Sequence, residues 1–274
     1  MALSAADFDY VRDLVQRRSS IVLEPEKAYL VDARLQGLAR REGFPTPEDL
    51  VSRLRTGPSA LLQKVVEAMT TNETSFFRDM HPFEALRKTI IPDLLKKRAS
   101  EKRLAIWCGA ASTGQEPYTM AMILKEHFPE LASWSVRFIA TDLSTEVLEK
   151  AKKGRYSQLE VNRGMPAPLL IKYFVKEGIE WVIKEELRRM IEYSRLNLIE
   201  PWPIVPPVDL VLLRNVLIYF DIPTKKQILA KIRSKLRPDG VLILGGAETT
   251  HNLDEAYERV PGEKFSCYRV GKQS

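Results

Sequence analysis

Residues 104–117, Leu104-Ala105-Ile106-Trp107-Cys108-Gly109-Ala110-Ala111-Ser112-Thr113-Gly114-Gln115-Glu116-Pro117, restrict the possible folds more than any other segment. The apolar run reads as a buried strand, the small residues after it as a tight turn, and the pattern from Tyr118 to Phe128 as a helix. Open parallel sheets hold nucleotide-like ligands with this order of elements. The glycine fingerprint is altered here to Gly109-x-Ala111-x-x-Gly114, so the position that lets backbone approach a pyrophosphate carries a methyl group. Glu116 sits where the helix begins. Its charge is favourable near a helix N-terminus but repels a diphosphate from the same place. The ligand is therefore expected to bring positive charge. A second apolar run, Arg137-Phe138-Ile139-Ala140-Thr141-Asp142, ends in an acid near the spacing from which a carboxylate grips ribose hydroxyls. Ribose without pyrophosphate, joined to a cationic group, points to S-adenosylmethionine.

Around that unit the chain reads as an α/β protein. Before residue 80, apolar residues recur at helical spacing: Phe8, Val11, Leu14 and Val15, then Val31, Leu35, Leu38 and Ala39, then Leu61, Leu62, Val65, Val66 and Met69. Ser4 with Asp7 resembles a capping box, and Thr46-Pro47-Glu48 sets a cap, a first-turn proline and an early acid in order. These signals predict a small all-helical N-terminal domain over residues 1–80. A linker over 81–103 follows, ending in the basic segment Lys96 to Arg103, then a cofactor-binding domain over 104–274. Its strands are expected at Leu104–Cys108, Phe138–Asp142, Asp209–Asn215, Val241–Gly245 and Phe265–Val270, forming a doubly wound, Rossmann-like parallel sheet. Residues 154–190 interrupt the alternation. Ile179, Trp181 and Ile183 alternate with polar residues after the turn candidate Glu177-Gly178, which predicts an inserted antiparallel β subdomain preceded by a short helix from Pro168 to Phe174.

Composition excludes several classes. At 274 residues and 45% hydrophobic content, the chain suits ordinary globular cores. It has no apolar run of membrane-spanning length and no charged-then-apolar leader, so no membrane insertion and a cytoplasmic location are expected. Two cysteines fit a reducing compartment. His81, His127 and His251 are scattered without ligand spacing, so no metal is expected. The net charge of +6 hints at an acidic partner without selecting nucleic acid over protein. Arg34 and Arg41 share a helical face, which reads either as a docking surface for an acidic partner or as solvated charge.

Two further segments carry chemistry. Thr70-Thr71-Asn72-Glu73-Thr74-Ser75-Phe76-Phe77-Arg78-Asp79 reads as a loop anchored by two aromatics and presenting hydrogen-bonding groups, or as a capped turn between helices. Asp209 to Asp221 contains Arg214 and Asn215 at the carboxyl end of a strand, where ligands of open sheets bind, with Tyr219 close behind.

Taken in order, Thr70–Asp79, Trp107–Tyr118, Thr141-Asp142-Leu143-Ser144 with Val147-Leu148, Asn197-Leu198 and Leu213–Asp221 resemble the CheR family, S-adenosylmethionine-dependent protein-glutamate O-methyltransferases of chemotaxis receptors. The resemblance covers almost the whole chain. It implies that Asn72, Thr74 and Arg78 contribute to the cofactor pocket, that Gly109 and Glu116 belong to it, and that Asp142 holds the ribose. Asn197, Leu198, Arg214 and Asn215 would line the adenosyl region, and Arg78, Arg214 and Tyr219 would act on the substrate side. It implies as partner the cytoplasmic helical region of chemotaxis receptors, with S-adenosylhomocysteine as product and no nucleic acid. The chain departs from the family at Gln115, where another carboxylate is common, and in opening its loop with Cys108-Gly109. Such a reaction needs no general base, because a glutamate with a reference pKa of about 4.3 is already ionised near neutral pH. Two other readings stand beside this one: an S-adenosylmethionine-dependent RNA methyltransferase, which would need a basic groove interleaved with exposed aromatics, and a cofactor-binding signalling adaptor without turnover.

Overall fold

The computed structural model describes residues 3–57, 59–202, 207–261 and 265–271. Four helices open the chain: α1 (Ala5–Ser19), α2 (Ala28–Glu42), α3 (Pro47–Thr56) and α4 (Ser59–Ala68). Ser4 caps α1 by accepting from the Asp7 N–H, and Thr46 caps α3 by accepting from Asp49, with Pro47 in its first turn. Their apolar stripes meet in one core that includes Phe8, Val11, Val31, Leu35, Leu50 and Val65.

The expected linker is instead a structural layer. Residues 81–97 form α5 (His81–Ala85), a π-helical turn (Leu86–Ile90) and α6 (Ile91–Lys97). Phe83, Leu86, Ile90, Ile91 and Leu94 share a core with the first strand's Leu104 and Ile106. The basic run at its end is equally deceptive. Arg98 is 6% exposed and bonds Asp209 at 2.7 Å and Asp239 at 2.5 Å. Positive charge on the sequence becomes an internal tie between this layer and two strands of the sheet.

The remaining elements are β1 (Arg103–Gly109), α7 (Gln115–His127), β2 (Ser135–Asp142), α8 (Thr145–Lys153), β3 (Arg155–Ser157), α9 (Gln158–Asn162), α10 (Ala167–Tyr173), β4 (Phe174–Glu177), β5 (Glu180–Ile183), α11 (Glu185–Arg188), β6 (Glu192–Arg195), β7 (Val208–Leu213), α12 (Ile222–Lys235), β8 (Leu236–Leu244), β9 (Tyr257–Arg259) and β10 (Cys267–Val270). The main sheet has the order β6-β2-β1-β7-β8-β10-β9. It is parallel from β6 to β8, and β10 runs antiparallel to both neighbours. Short β6 and β9 were not anticipated. Neither carries an apolar run, because edge strands of three or four residues need cover only one neighbour.

From β1 the chain winds outward through β2 to β6, then returns to β7 on the other side of β1. That reversal opens a crevice at the carboxyl ends of β1, β2 and β7. The small sheet β3-β5-β4 is antiparallel and lies within residues 154–190. Its tight turn is Gly178-Ile179 instead of the expected Glu177-Gly178, because Glu177 still pairs with Glu180 across the hairpin, so Ile179 sits in the turn and not in the strand. It is fastened to the crevice: the Tyr156 hydroxyl donates to the Thr113 carbonyl at 2.7 Å. Among the described residues no helix is long and apolar enough to cross a membrane, and no cluster of His, Cys, Asp and Glu is arranged to hold a metal ion.

Candidate active site

The crevice is roofed by the helical domain and by the segment that follows it. Ser19, Ile21 and residues 69–74 line it from above, and loops after β1, β2, β6 and β7 line it from below. Three contacts fix the roof. Glu67 on α4 accepts from the Thr145 N–H at 2.9 Å, Asn197 donates to the Arg18 carbonyl at 2.8 Å, and the Ser112 hydroxyl donates to the Asn72 carbonyl at 2.8 Å.

Of the residues expected in the site, Asn72, Thr74, Arg78, Glu116, Asp142, Asn197, Leu198, Arg214, Asn215 and Tyr219 all line this one cavity. Gly109 does not. It ends β1 where an added Cβ would stand 2.7 Å from Leu213 Cδ1, so glycine there admits a neighbouring strand rather than a ligand. Phe76 and Phe77 are core anchors. Phe76 packs edge-on against Tyr156 with centroids 5.0 Å apart, and Phe77 packs against Phe83 at 5.9 Å.

The loop after β1 is already committed internally. Ala111 N–H donates to the Thr141 carbonyl, Ser112 N–H to Asp142 Oδ2 at 2.8 Å, and Gly114 N–H to the Ala111 carbonyl. These three loop amides are thus taken up within the protein instead of being left free for a phosphate. Gly114 has φ +95, and a Cβ on it would meet Ala151 at 2.9 Å and the Tyr156 hydroxyl at 3.1 Å, so glycine is required by conformation and by space.

Asp142 is 7% exposed and also accepts from Ser144 N–H at 2.9 Å. Burial pushes its carboxyl above the ordinary value, against backbone N–H groups of Ser144, Ser112 and Leu143 that favour the charged form. Each carboxylate oxygen has a second lone-pair direction, so both can take a further donor such as a ribose hydroxyl.

Glu116 and Arg214 form the polar floor. Arg214 donates from Nη1 to Glu116 Oε2 at 2.5 Å and from Nη2 to Asp79 Oδ2 at 2.9 Å, and its guanidinium carbon lies 5.4 Å from the Phe83 ring centroid. Its Nε is buried without a partner in the protein. Cys108 donates its thiol to Glu116 Oε1 at 3.3 Å, and burial with that neighbouring carboxylate pushes the thiol well above its ordinary pKa. It stays protonated and serves as a donor, not a nucleophile. Arg78, half-buried, donates to the Glu73 carbonyl at 3.1 Å.

The lining holds three carboxylates, Glu73, Glu116 and Asp142, against two guanidinium groups, Arg78 and Arg214. That excess of acid suits a cationic ligand. Backbone strain concentrates here as well. Phe77, Asp79, Ala110, Ser112 and Asn215 have φ between 50 and 59, a left-handed conformation costing non-glycine residues roughly 1–2 kcal/mol each. The surrounding hydrogen bonds must maintain it.

The sequence reading missed Asp79 as a partner of Arg214, Ser112 as the link to Asn72, and the N-terminal contributors Ser19 and Ile21. Asp79 and Ser112 lay inside segments already singled out, but their partners did not follow from local sequence. The others needed the chain to fold two separated domains together.

Residues 6–70 match the family described as CheR methyltransferase, all-alpha domain, and residues 72–266 match CheR methyltransferase, SAM binding domain. Chemotaxis protein methyltransferase 1 of Pseudomonas aeruginosa is 38% identical over 275 residues, covering 98% of this chain and 100% of that protein. Chemotaxis protein methyltransferase Cher2 of Pseudomonas putida is 36% identical, with 95% and 96% covered. The chemotaxis protein methyltransferase of Vibrio anguillarum is 34% identical, with 98% and 99% covered.

Proposed function

The chain belongs to the CheR methyltransferase family, and from that premise we propose that it methylates glutamate side chains in the cytoplasmic helical region of chemotaxis receptors. Its products would be glutamate methyl esters and S-adenosylhomocysteine. Membership itself establishes an S-adenosylmethionine-dependent methyltransferase; the glutamate acceptor, the receptor partner and the residue roles are the proposal.

The observation that carries the acceptor assignment is the chemistry of the lining. Its ionisable side chains are Arg78, Arg214, Glu73, Glu116, Asp142 and Tyr219, with no His, Lys or Cys among the described lining residues. An amine or thiol acceptor would have to lose a proton near neutral pH, whereas a carboxylate arrives ionised. The three lining carboxylates are each engaged already, Glu116 by Arg214, Asp142 by backbone amides and Glu73 by Arg163, so two arginines without a free base fit a carboxylate acceptor.

Asn72, Thr74, Glu116, Asp142, Asn197, Leu198 and Asn215 would hold S-adenosylmethionine, Asp142 taking the ribose hydroxyls and the acidic lining favouring the sulfonium. When bound, the cofactor supplies an electrophilic methyl group. The protein's task is to bring one glutamate oxygen in line with it and exclude water, a positioning effect worth up to about 7–11 kcal/mol in ideal geometry. Arg214 is balanced by Glu116 and Asp79 and acts mainly as the rigid floor of the site. Arg78 is the freer guanidinium, and with Tyr219 it meets the entering carboxylate at the oxygen that does not attack. Too strong a grip on the attacking oxygen would quench it.

The test is incubation with methyl-labelled S-adenosylmethionine and either a receptor cytoplasmic fragment or RNA. Label on the receptor fragment that mild base releases is expected; label only on RNA, or none on either, defeats the assignment.

A further inference from the structure

Glu248 is 5% exposed and lies outside the cavity lining, yet its carboxylate is the centre of a main-chain cluster. Oε2 accepts from the N–H groups of Gly245 at 2.7 Å and Asn215 at 2.8 Å. Oε1 accepts from Val216 at 2.8 Å, Leu217 at 2.7 Å and Ile218 at 3.4 Å. Four successive amides converge on one group because Asn215, with φ 59, turns the chain through the left-handed region. Such a concave run of N–H groups is an anion nest, here filled by the protein's own carboxylate. Arg214 enters the nest and Tyr219 leaves it. Gly245 gives the carboxylate room: a Cβ there would stand 2.7 Å from Glu248 Oε2 and 2.8 Å from the Asn215 nitrogen. The backbone of Glu248 is held in turn, its carbonyl accepting from the Ser266 hydroxyl at 2.8 Å.

We infer that Glu248 is a positioning residue for methyl transfer: by gathering the amides of residues 215–218 it sets the loop that presents Arg214, Asn215 and Tyr219 to the cavity. This rests on the assignment of those three residues to the reaction. Glutamine has one oxygen and one NH2 group, so Glu248→Gln leaves at least two of the five amides facing a donor instead of an acceptor.

Steady-state methylation of a receptor fragment, calorimetric binding of S-adenosylhomocysteine and amide hydrogen exchange test this on the full-length chain, well below the variant's melting transition. Glu248→Gln should lower kcat by about 10- to 100-fold, the scale of a reacting group displaced by an ångström. KM for the fragment should stay within about threefold, and exchange should quicken at residues 215–218 while β7 and β8 stay protected. A folded E248Q with kcat within about twofold of the parent overturns the inference, as does a loss visible only in melting temperature. Where E248Q does not fold, Gly245→Ala, which crowds the same oxygen and keeps the carboxylate, is judged on the same criterion. Arg214→Ala and Tyr219→Phe run in parallel separate the two readings. Slow Arg214→Ala or Tyr219→Phe beside normal E248Q rejects the clasp alone, and normal turnover of both Arg214→Ala and Tyr219→Phe removes the loop from the site and the inference with it. A parent enzyme that makes no base-labile ester rejects the acceptor assignment, and this role with it.

Discussion

Single side chains in this site hold two functions at once. Asp142 anchors the Ser112 and Ser144 amides and is the proposed ribose acceptor. Asp142→Ala removes a hydrogen bond to a charged group, worth roughly 1.5–3 kcal/mol, so affinity for S-adenosylhomocysteine should fall about tenfold or more. Unchanged calorimetric affinity would refute the role. Tyr219 makes a different demand. Its backbone carbonyl accepts from Val22 N–H at 3.0 Å, which ties it to the helical domain and leaves the ring half-buried at the cavity. Tyr219→Phe should therefore slow turnover about tenfold, by loss of a hydrogen bond to a charged acceptor, with cofactor affinity kept. Normal kcat in that variant would remove the hydroxyl from the substrate side.

At the scale of elements, α2 shows how position on a helix sorts two identical residues. Arg34 and Arg41 share a face by spacing, which the sequence reading left open between docking and solvated charge. Arg34 turns inward, donating to the Met69 carbonyl at 2.6 Å and the Thr71 hydroxyl at 3.0 Å, and so supports the segment that roofs the cavity. Arg41 stays exposed, with Glu146 at 4.0 Å. Charge reversal should now separate them. Arg34→Glu should weaken cofactor binding along with activity, whereas Arg41→Glu should leave cofactor affinity intact and raise KM for an acidic receptor fragment most at low salt. Indifference of KM to Arg41→Glu at every ionic strength would make that residue plain surface charge. The same logic explains the misread linker. The basic segment from Lys96 to Arg103 drew attention away from the residues before it, where Phe83, Leu86, Ile90, Ile91 and Leu94 recur at helical spacing and bury against the sheet.

Across the whole molecule, Arg98 binds the layer before the sheet to β7 through Asp209 and to β8 through Asp239. The Arg98 hydrogen bond holds the Asp239 carboxyl below its ordinary value of 3.8. A lowered folded-state pKa means that the contribution is complete above 3.8 and fades as pH falls through the lower folded value. Asp239→Asn should thus lower the melting temperature at neutral pH, by about 1–3 kcal/mol of stability, and the gap to the parent should close under strong acid. A gap that persists unchanged in acid would assign the cost to packing instead of charge.

Much of this was legible locally. Strand β1, its loop and α7 announced themselves by an apolar run, small residues and a helical period, and the expectation of a cationic ligand in place of a diphosphate rested on Ala111 and Glu116. Those features act over a few neighbours, so local sequence determined the α/β class, the helical domain and the small antiparallel sheet, while the cavity positions Asn72, Thr74, Asn197 and Leu198 came from the resemblance of ordered segments to a family. What tertiary structure decided was pairing over long separations: Glu116 with Arg214, Asn197 with Arg18, Arg98 with Asp239, Glu248 with residues 215–218. A charged residue's sequence neighbours do not reveal whether water or a buried partner will satisfy it, because that depends on which distant backbone and side-chain groups the folded chain brings within hydrogen-bond reach.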